Sequence, residues 1–341
     1  MSVRVGINGF GRIGRDYLRS VLERAATGST AVQVVAVNDV TDAATLAHLL
    51  EYDSTYGRLR RTITHDAESI IVDGRRIAVS AERAPAALNW GALGVDVVIE
   101  ATGRFRTRET AGLHLKAGAR KVLLSVPGKD VDATVVMGVN ERSYDPGLHH
   151  VVSNASCTTN CVAPMVKVLD DAFGITDGLM TTIHSYTNDQ VVLDGPHKDP
   201  RRGRTAAVNI IPTSTGAARA VGQVLPALDG VLDGIAVRVP VEDGSLTDLT
   251  VLLREPATGD DVNDAFRAAA QGPLRGILRV SDAPLVSRDI VGDPASCILD
   301  APLTQVHGHL VKVFGWYDNE WGYTNRLLDL TEYVAARLDP R

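Results

Sequence analysis

The stretch VRVGINGFGRIGR, residues 3–15, decides the fold of the first half of the chain. Its first six residues are a short, mostly apolar run of strand type. Gly9, Gly11 and Gly14 follow at the spacing GxGxxG, and from Arg12 to Arg24 apolar residues recur at helical spacing (Ile13, Tyr17, Leu18, Val21, Leu22). Strand, glycine turn and helix in that order form a phosphate cradle. The glycines allow a tight turn and close backbone approach, and the helix start offers N–H groups and a positive dipole end to a pyrophosphate. A second apolar run, residues 32–37, ends at Asn38-Asp39. A carboxylate there can accept hydrogen bonds from both hydroxyls of an adenosine ribose. Each feature alone has a plainer reading, a packing turn or an aspartate that ends a strand. Together they point to a dinucleotide.

Outward from this unit, strand-like runs at 95–100, 121–126 and 134–139 alternate with helical patterns at 45–50 and 108–117. That alternation predicts a doubly wound α/β unit with a parallel sheet. The second half reads differently. A helical pattern at 161–173 precedes longer strand-like segments at 178–186, 234–239, 245–253, 295–300 and 310–317. Few crossover helices separate them, which predicts an α+β domain with a large mixed or antiparallel sheet. An irregular, charged segment spans 189–206, and loops of that length in compact enzymes are usually functional. A last helix is expected over 324–338.

The 341 residues suffice for two domains with cores of their own. A net charge of -6 gives no electrostatic case for nucleic acid or an anionic membrane. No apolar run is long enough to cross a bilayer, and the start shows no secretory pattern, so a cytoplasmic location is expected. Three cysteines, Cys157, Cys161 and Cys297, argue against a disulfide framework and suit a reducing compartment. The histidines form no chelating cluster, so no metal is expected.

The stretch SNASCTTNC, residues 153–161, surrounds Cys157 with small polar residues and runs into the helical pattern. A thiol at a helix start is favoured as thiolate by the dipole and free N–H groups, whereas a buried structural cysteine would have apolar flanks. Cys161, one turn deeper, reads as a packing thiol. His184, at the exit of the next strand, could lower the thiol pKa and shuttle a proton, although sequence alone does not bring the two together.

Six segments in order carry a resemblance: INGFGRIGR (7–15), SNASCTTNC (153–161), HSYTNDQ (184–190), PHKDPRRGR (196–204), IIPTSTGAA (210–218) and WYDNEWGY (316–323). Together they make the chain resemble the phosphorylating, NAD-dependent glyceraldehyde-3-phosphate dehydrogenase family over essentially its whole length. The resemblance implies a Rossmann domain at 1–156, a catalytic domain at 157–319, and a C-terminal helix, 320–341, that packs back on the first. It implies oxidation of D-glyceraldehyde 3-phosphate to an acyl phosphate with NAD and inorganic phosphate, through a hemithioacetal and thioester on Cys157 with His184 as base. Arg12, Ile13, Asp39, Arg83, Ser125 and Asn319 would contact NAD. Ser156, Thr158, Thr187, Thr215, Gly216 and Arg238 would bind the substrate phosphate and inorganic phosphate, with one of Arg201 and Arg202. The loop 189–206 would lie at an interface of a homotetramer. Two other readings are an erythrose-4-phosphate dehydrogenase and a non-catalytic NAD-binding thiol sensor. The segment Val241-Glu242-Asp243-Gly244-Ser245 departs from the Thr-Pro-Asn-Val-Ser common in the family.

Overall fold

The computed structural model describes residues 2–339; Met1 and positions 340–341 of the expected C-terminal helix lie outside the described residues. The chain forms two compact units. One comprises residues up to Val135, then Glu141–Ala155, then Thr324 onward; the other comprises Val136–Asn140 and Ser156–Tyr323.

The first unit is built on β1 (Val3–Asn8), α1 (Arg12–Ala26), β2 (Val32–Asn38), α2 (Ala43–Glu51), β3 (Ile63–Asp66), β4 (Ser69–Val72) and β5 (Arg75–Ser80). It continues with β6 (Val97–Glu100), α3 (Arg108–Ala111), α4 (Leu113–Lys116), β7 (Lys121–Leu124), β8 (Ala133–Thr134) and β9 (Val151–Ser153). The sheet order is β3-β4-β5-β2-β1-β6-β7-β9-β8. β1 pairs in parallel with β2 on one side and β6 on the other, so the chain winds outward in both directions from β1. In such a sheet the crevice for a ligand opens beyond the carboxyl ends of the strands at that reversal. The strands are buried because helices cover both faces: all four residues of β6 and of β7 are buried. Gly14 lets α1 close onto the turn before it, since a Cβ there would lie 2.2 Å from the Gly9 carbonyl oxygen.

Three expectations change here. Residues 63–80, given no structure by the sequence reading, form the antiparallel strands β3, β4 and β5. The turn between β4 and β5 is Asp73-Gly74, both at positive φ (49° and 78°), the geometry of a two-residue hairpin loop. The helix expected over 108–117 breaks at Gly112 into α3 and α4. The strand expected over 134–139 shrinks to β8, and the chain turns through Gly138 at φ 82°.

The second unit contains α5 (Cys157–Phe173), β10 (Ile175–Ser185), β11 (Ile211–Ser214), α6 (Ala217–Val224), β12 (Leu232–Val239), β13 (Ser245–Leu253) and α7 (Gly259–Gln271). β14 (Leu278–Ser281), β15 (Cys297–Asp300), β16 (Gln305–His307) and β17 (Leu310–Tyr317) complete it. The sheet runs β11-β12-β10-β13-β17-β15-β14 and is mixed: β10 is parallel to β12 but antiparallel to β13. Burial alternates along β13 and β17, as it must when one face of a sheet is covered. The cover includes α5, whose Cys161, Val162, Met165, Val166 and Leu169 are fully buried. α5 begins at Cys157 itself, a turn earlier than the apolar pattern indicated.

The last helix, α8 (Trp321–Ala335), belongs to the first unit from Thr324 on. There Tyr17 Oη lies 2.9 Å from Thr331 Oγ1, and Arg24 pairs with Asp329 at 2.6 Å.

Candidate functional site

In the first unit, Gly11 caps α1 without a side-chain hydrogen bond, and no acidic residue occupies the first turn. The space beside Gly11 is open: a Cβ there would meet nothing within 4 Å. The positive end of the helix dipole therefore faces open space, a fit for a pyrophosphate. Asp39 follows β2, and its Oδ2 accepts the Phe10 N–H at 2.7 Å, which fixes the carboxylate beside the glycine loop. Ile13 stands in the first turn of α1 and is half-buried. The Arg12 side chain is drawn elsewhere, to Asp53 at 2.6 Å and over the Tyr56 ring. Ser125 lies just beyond β7 and donates its N–H to the Glu100 carbonyl at 3.0 Å. Arg83 is exposed beyond β5, next to Glu82, whose N–H donates to Asn38. Apart from the Arg12 side chain, these candidate NAD contacts stand at or just beyond the carboxyl ends of the strands.

In the second unit, Cys157 is the first residue of α5. Ser156 caps the helix by accepting the Thr159 N–H at 3.0 Å, and no acid stands in the first turn. Cys157 Sγ is 3.4 Å from His184 Nε2, contact that sequence spacing alone could not establish. Register explains the rest of the constellation: β10 and β12 pair His184 with Arg238 directly. Arg238 Nη1 lies 2.7 Å from His184 Nδ1 and donates to the Ser185 carbonyl at 2.9 Å. The same Nδ1 is 2.7 Å from that carbonyl. Nδ1 thus faces one donor, Arg238, and one acceptor, the Ser185 carbonyl. The tautomer with its proton on Nδ1, donated to Ser185, leaves the Nε2 lone pair toward the thiol and is the base-competent one, while the other lets Nδ1 accept from Arg238.

The electrostatics correct one expectation. Burial, opposed by Arg238 and by hydrogen bonding to Thr158, leaves the Cys157 thiol above its ordinary pKa rather than below it. Cys157 as a residue is half-buried, but the thiol's surroundings are dense enough for desolvation to dominate. Burial, with Arg238 second, pushes the His184 imidazole down to about 3. Both shifts run in the direction that favours a neutral thiol beside a neutral imidazole over a thiolate beside an imidazolium.

The phosphate candidates separate into two sets. Thr187 donates its hydroxyl to Asp189, and Asp189 Oδ2 accepts from Arg202 Nη1 at 2.7 Å. Arg202 Nε also donates to Thr213 at 3.0 Å. The structure thereby draws Arg202 toward Thr187, while Arg201 is exposed and donates its backbone N–H to Asp199. Thr215 and Gly216 stand at the uncapped start of α6, with open space beside Gly216. Arg238 Nε is buried without a hydrogen-bond partner, a donor awaiting an oxygen acceptor. In contrast, the Ser156 hydroxyl is occupied as the helix cap, and Thr158 Oγ1 turns inward to Tyr317 Oη at 2.9 Å.

Replacing Arg238 by leucine is therefore expected to raise the Michaelis constants for both phosphate-bearing ligands. Loss of one charge-assisted partner costs about 1.5–3 kcal/mol of binding. Steady-state kinetics decide it: unchanged constants for both ligands would remove Arg238 from the anion site.

Sequence reasoning missed several supporting residues. Tyr317 Oη bridges Thr158 and Thr182, and its ring stands edge-on to His184 with centroids 6.0 Å apart. Asn319 Oδ1 accepts from Ser185 at 2.8 Å and from Ser245 at 2.6 Å, which turns the amide nitrogen the other way. Asp189 and Tyr317 lie inside quoted motifs, but only the fold shows what they hold. In the unusual segment, Gly244 at φ 87° lies so close to Ser287 that a Cβ would meet its carbonyl oxygen at 2.4 Å. Asp243 is buried and hydrogen-bonds to Asp318, whose carboxyl burial holds above its ordinary range.

A thiol–imidazole pair at a helix start, flanked by an arginine with an unsatisfied N–H, is the equipment of an enzyme that works through a covalent thiol intermediate. The same chain carries a doubly wound unit of the dinucleotide-binding type. Residues 3–108 match the NAD binding domain of glyceraldehyde 3-phosphate dehydrogenase, and residues 156–319 match its C-terminal domain. The chain is 59% identical to the glyceraldehyde-3-phosphate dehydrogenase of Streptomyces coelicolor, over 99% of its own length and 100% of the relative's. It is 58% identical to that of Kitasatospora aureofaciens, over 98% and 99% of the two lengths. It is 57% identical to that of Mycobacterium avium, over 99% and 100%. The chain belongs to the glyceraldehyde-3-phosphate dehydrogenase family, whose members are NAD-dependent oxidoreductases.

Proposed function

We propose that this protein oxidises D-glyceraldehyde 3-phosphate and transfers the acyl group to inorganic phosphate, with NAD as cofactor and Cys157 as the covalent carrier. The observation that carries the reading is the 3.4 Å contact of Cys157 Sγ with His184 Nε2 at the start of α5. His184 takes the thiol proton as sulfur forms a bond to the aldehyde carbon and delivers it to the former carbonyl oxygen, giving a hemithioacetal and a neutral imidazole again. His184 then removes the hydroxyl proton while the carbon loses hydride, leaving a thioester on Cys157. When bound, NAD supplies the hydride acceptor. Arg202, Thr187, Thr215, Gly216 and Arg238 hold the phosphate groups, and a phosphate oxygen attacks the acyl carbon. The carbon–sulfur bond breaks, the acyl phosphate leaves, and the thiol is restored. Donors at the start of α5 stabilise the oxyanion in both halves. Holding phosphate beside the thioester replaces a bimolecular encounter. Following NADH formation from glyceraldehyde 3-phosphate with and without inorganic phosphate tests the whole scheme; turnover indifferent to phosphate would overturn it.

Asp39 is assigned to the free ribose hydroxyls. A carboxylate there repels a 2′-phosphate, and neither Val40, Thr41 nor Asp42 offers a compensating cation. A strong preference for NAD over NADP in kcat/KM follows, and Asp39→Gly is expected to narrow it by weakening NAD and improving NADP. A preference untouched by the substitution would remove Asp39 from that role.

The homotetramer is supported by apolar side chains left exposed on the second unit. They are Leu179, Ile235, Leu252 and Leu310 on the sheet, and Val192, Leu193, Val208 and Ile210 in and after the loop 189–206. Large exposed apolar patches mark association surfaces. Sedimentation equilibrium is expected to give a four-chain mass, and Leu193→Asp with Val192→Asp a smaller one; a wild-type monomer would exclude the assembly. The three free thiols support a cytoplasmic location, and no helix among the described residues is long and apolar enough to cross a membrane.

A further inference from the structure

At the carboxyl end of β6 the Glu100 side chain is wholly buried. Its Oε2 accepts from Asn8 Nδ2 at 2.6 Å and lies 2.9 Å from His114 Nε2. Its Oε1 accepts the Thr102 N–H at 2.8 Å and the Thr102 hydroxyl. His114, also wholly buried, accepts the Trp90 indole N–H at Nδ1, 2.9 Å away. That bond places the imidazole proton on Nε2, where it donates to Glu100. On the other side, Asn8 Oδ1 accepts from Asn38 Nδ2 at 2.7 Å. Asn38 Oδ1 in turn accepts from the Ser80 hydroxyl and the Glu82 N–H.

A buried carboxylate among hydrogen-bond donors is not what sheet packing requires; apolar residues of similar volume would serve stability as well or better. What the network does is join three chain segments at the cradle. Asn8 precedes Gly9, Asn38 precedes Asp39, and Thr102 abuts the glycine turn. A Cβ on Gly9 would lie 2.7 Å from the Thr102 nitrogen, so the two backbones are already in contact. Glu100 grips both sides of that contact.

We propose that Glu100 is a positioning residue for the dinucleotide: through Asn8, Asn38 and Thr102 it fixes the glycine turn and the Asp39 carboxylate, with His114 and Trp90 holding it in place. This rests on the reading of the first unit as the NAD site. Its signature is a loss of cofactor affinity without a loss of chemistry, because Cys157 and its partners lie in the other unit.

The test titrates NAD into the cofactor-free, full-length protein by calorimetry. Glu100→Gln turns one acceptor oxygen into an amide that faces a donor. It is expected to weaken NAD binding about tenfold or more, with KM for NAD rising in parallel. The kcat at saturating NAD and the alkylation rate of Cys157 in the cofactor-free protein are expected to stay within about twofold of wild type. Trp90→Phe removes the indole donor together with part of a buried ring, leaves Glu100 and its Asn8 and Thr102 partners in place, and is expected to weaken NAD about threefold. It decides the matter if Glu100→Gln does not fold. Unchanged NAD affinity in a folded variant would overturn the inference, as would affinity, kcat and alkylation falling together, which marks general disruption. A wild type that bound no NAD would overturn the cofactor reading itself.

Discussion

Replacing Cys157 by serine is expected to lower turnover by about 10⁴-fold or more. A serine hydroxyl is far less acidic than a thiol, so a buried imidazole lowered by desolvation and by Arg238 is less able to remove its proton as oxygen attacks. A serine ester would also be a poorer acyl donor to phosphate than a thioester. NAD binding, a property of the first unit, should survive. Cys161→Ser is the internal control. Cys161 Sγ is buried against Met165 Sδ at 4.0 Å and the Gly315 carbonyl at 3.6 Å, away from the reacting atoms. That variant should keep substantial activity. Measured turnover settles both; near-normal rates in Cys157→Ser would end the thioester mechanism.

Replacing His184 by asparagine should reduce kcat by about 10²–10⁴-fold, the usual contribution of a positioned general base. The same variant should slow alkylation of Cys157 by iodoacetamide near neutral pH, where the thiol is protonated and must lose its proton during attack. The pH dependence follows from the two shifts. Because the imidazole is lowered, its base form is fully present throughout the neutral range and no histidine limb should appear there. Because the thiol is raised, the wild-type alkylation rate should climb steadily from neutral to alkaline pH without an early plateau. Arg238→Leu removes a nearby positive charge that lowers the imidazole, so an acid limb should move up toward neutrality in that variant. A neutral plateau in the wild-type alkylation profile would contradict the protonation states assigned to the pair.

Much of this was legible in the residues. β1, β13 and β17 fall where their apolar patterns placed them, because one rule, burial against covering helices, acts along the whole strand. The β4–β5 hairpin has a local signal too, Asp73-Gly74 between runs with strand character. The helix expected at 108–117 looked continuous because periodicity does not register the break at Gly112. In the active site, residue types were readable but their meeting was not. His184 faces Arg238 through strand register, and register is set by pairing partners far apart in sequence. The charge states were least legible: the helix start favours thiolate, but burial, which only the folded surroundings determine, outweighs it.

The return of α8 to the first unit bears on how the protein is made. The Tyr17 hydroxyl waits for Thr331, and Arg24 for Asp329, so the earliest helix of the chain gains these partners only near the end of synthesis. At about 5–20 residues per second, the first unit stays incomplete for many seconds while the entire second unit emerges. The second unit, apart from Val136–Asn140, is one uninterrupted segment and can close as soon as Tyr323 clears the ribosome. The order of translation and the order of folding are therefore inverted: the catalytic half is ready to fold before the half that was begun first. Until then α1 stands without the α8 side chains that Tyr17 and Arg24 pair with.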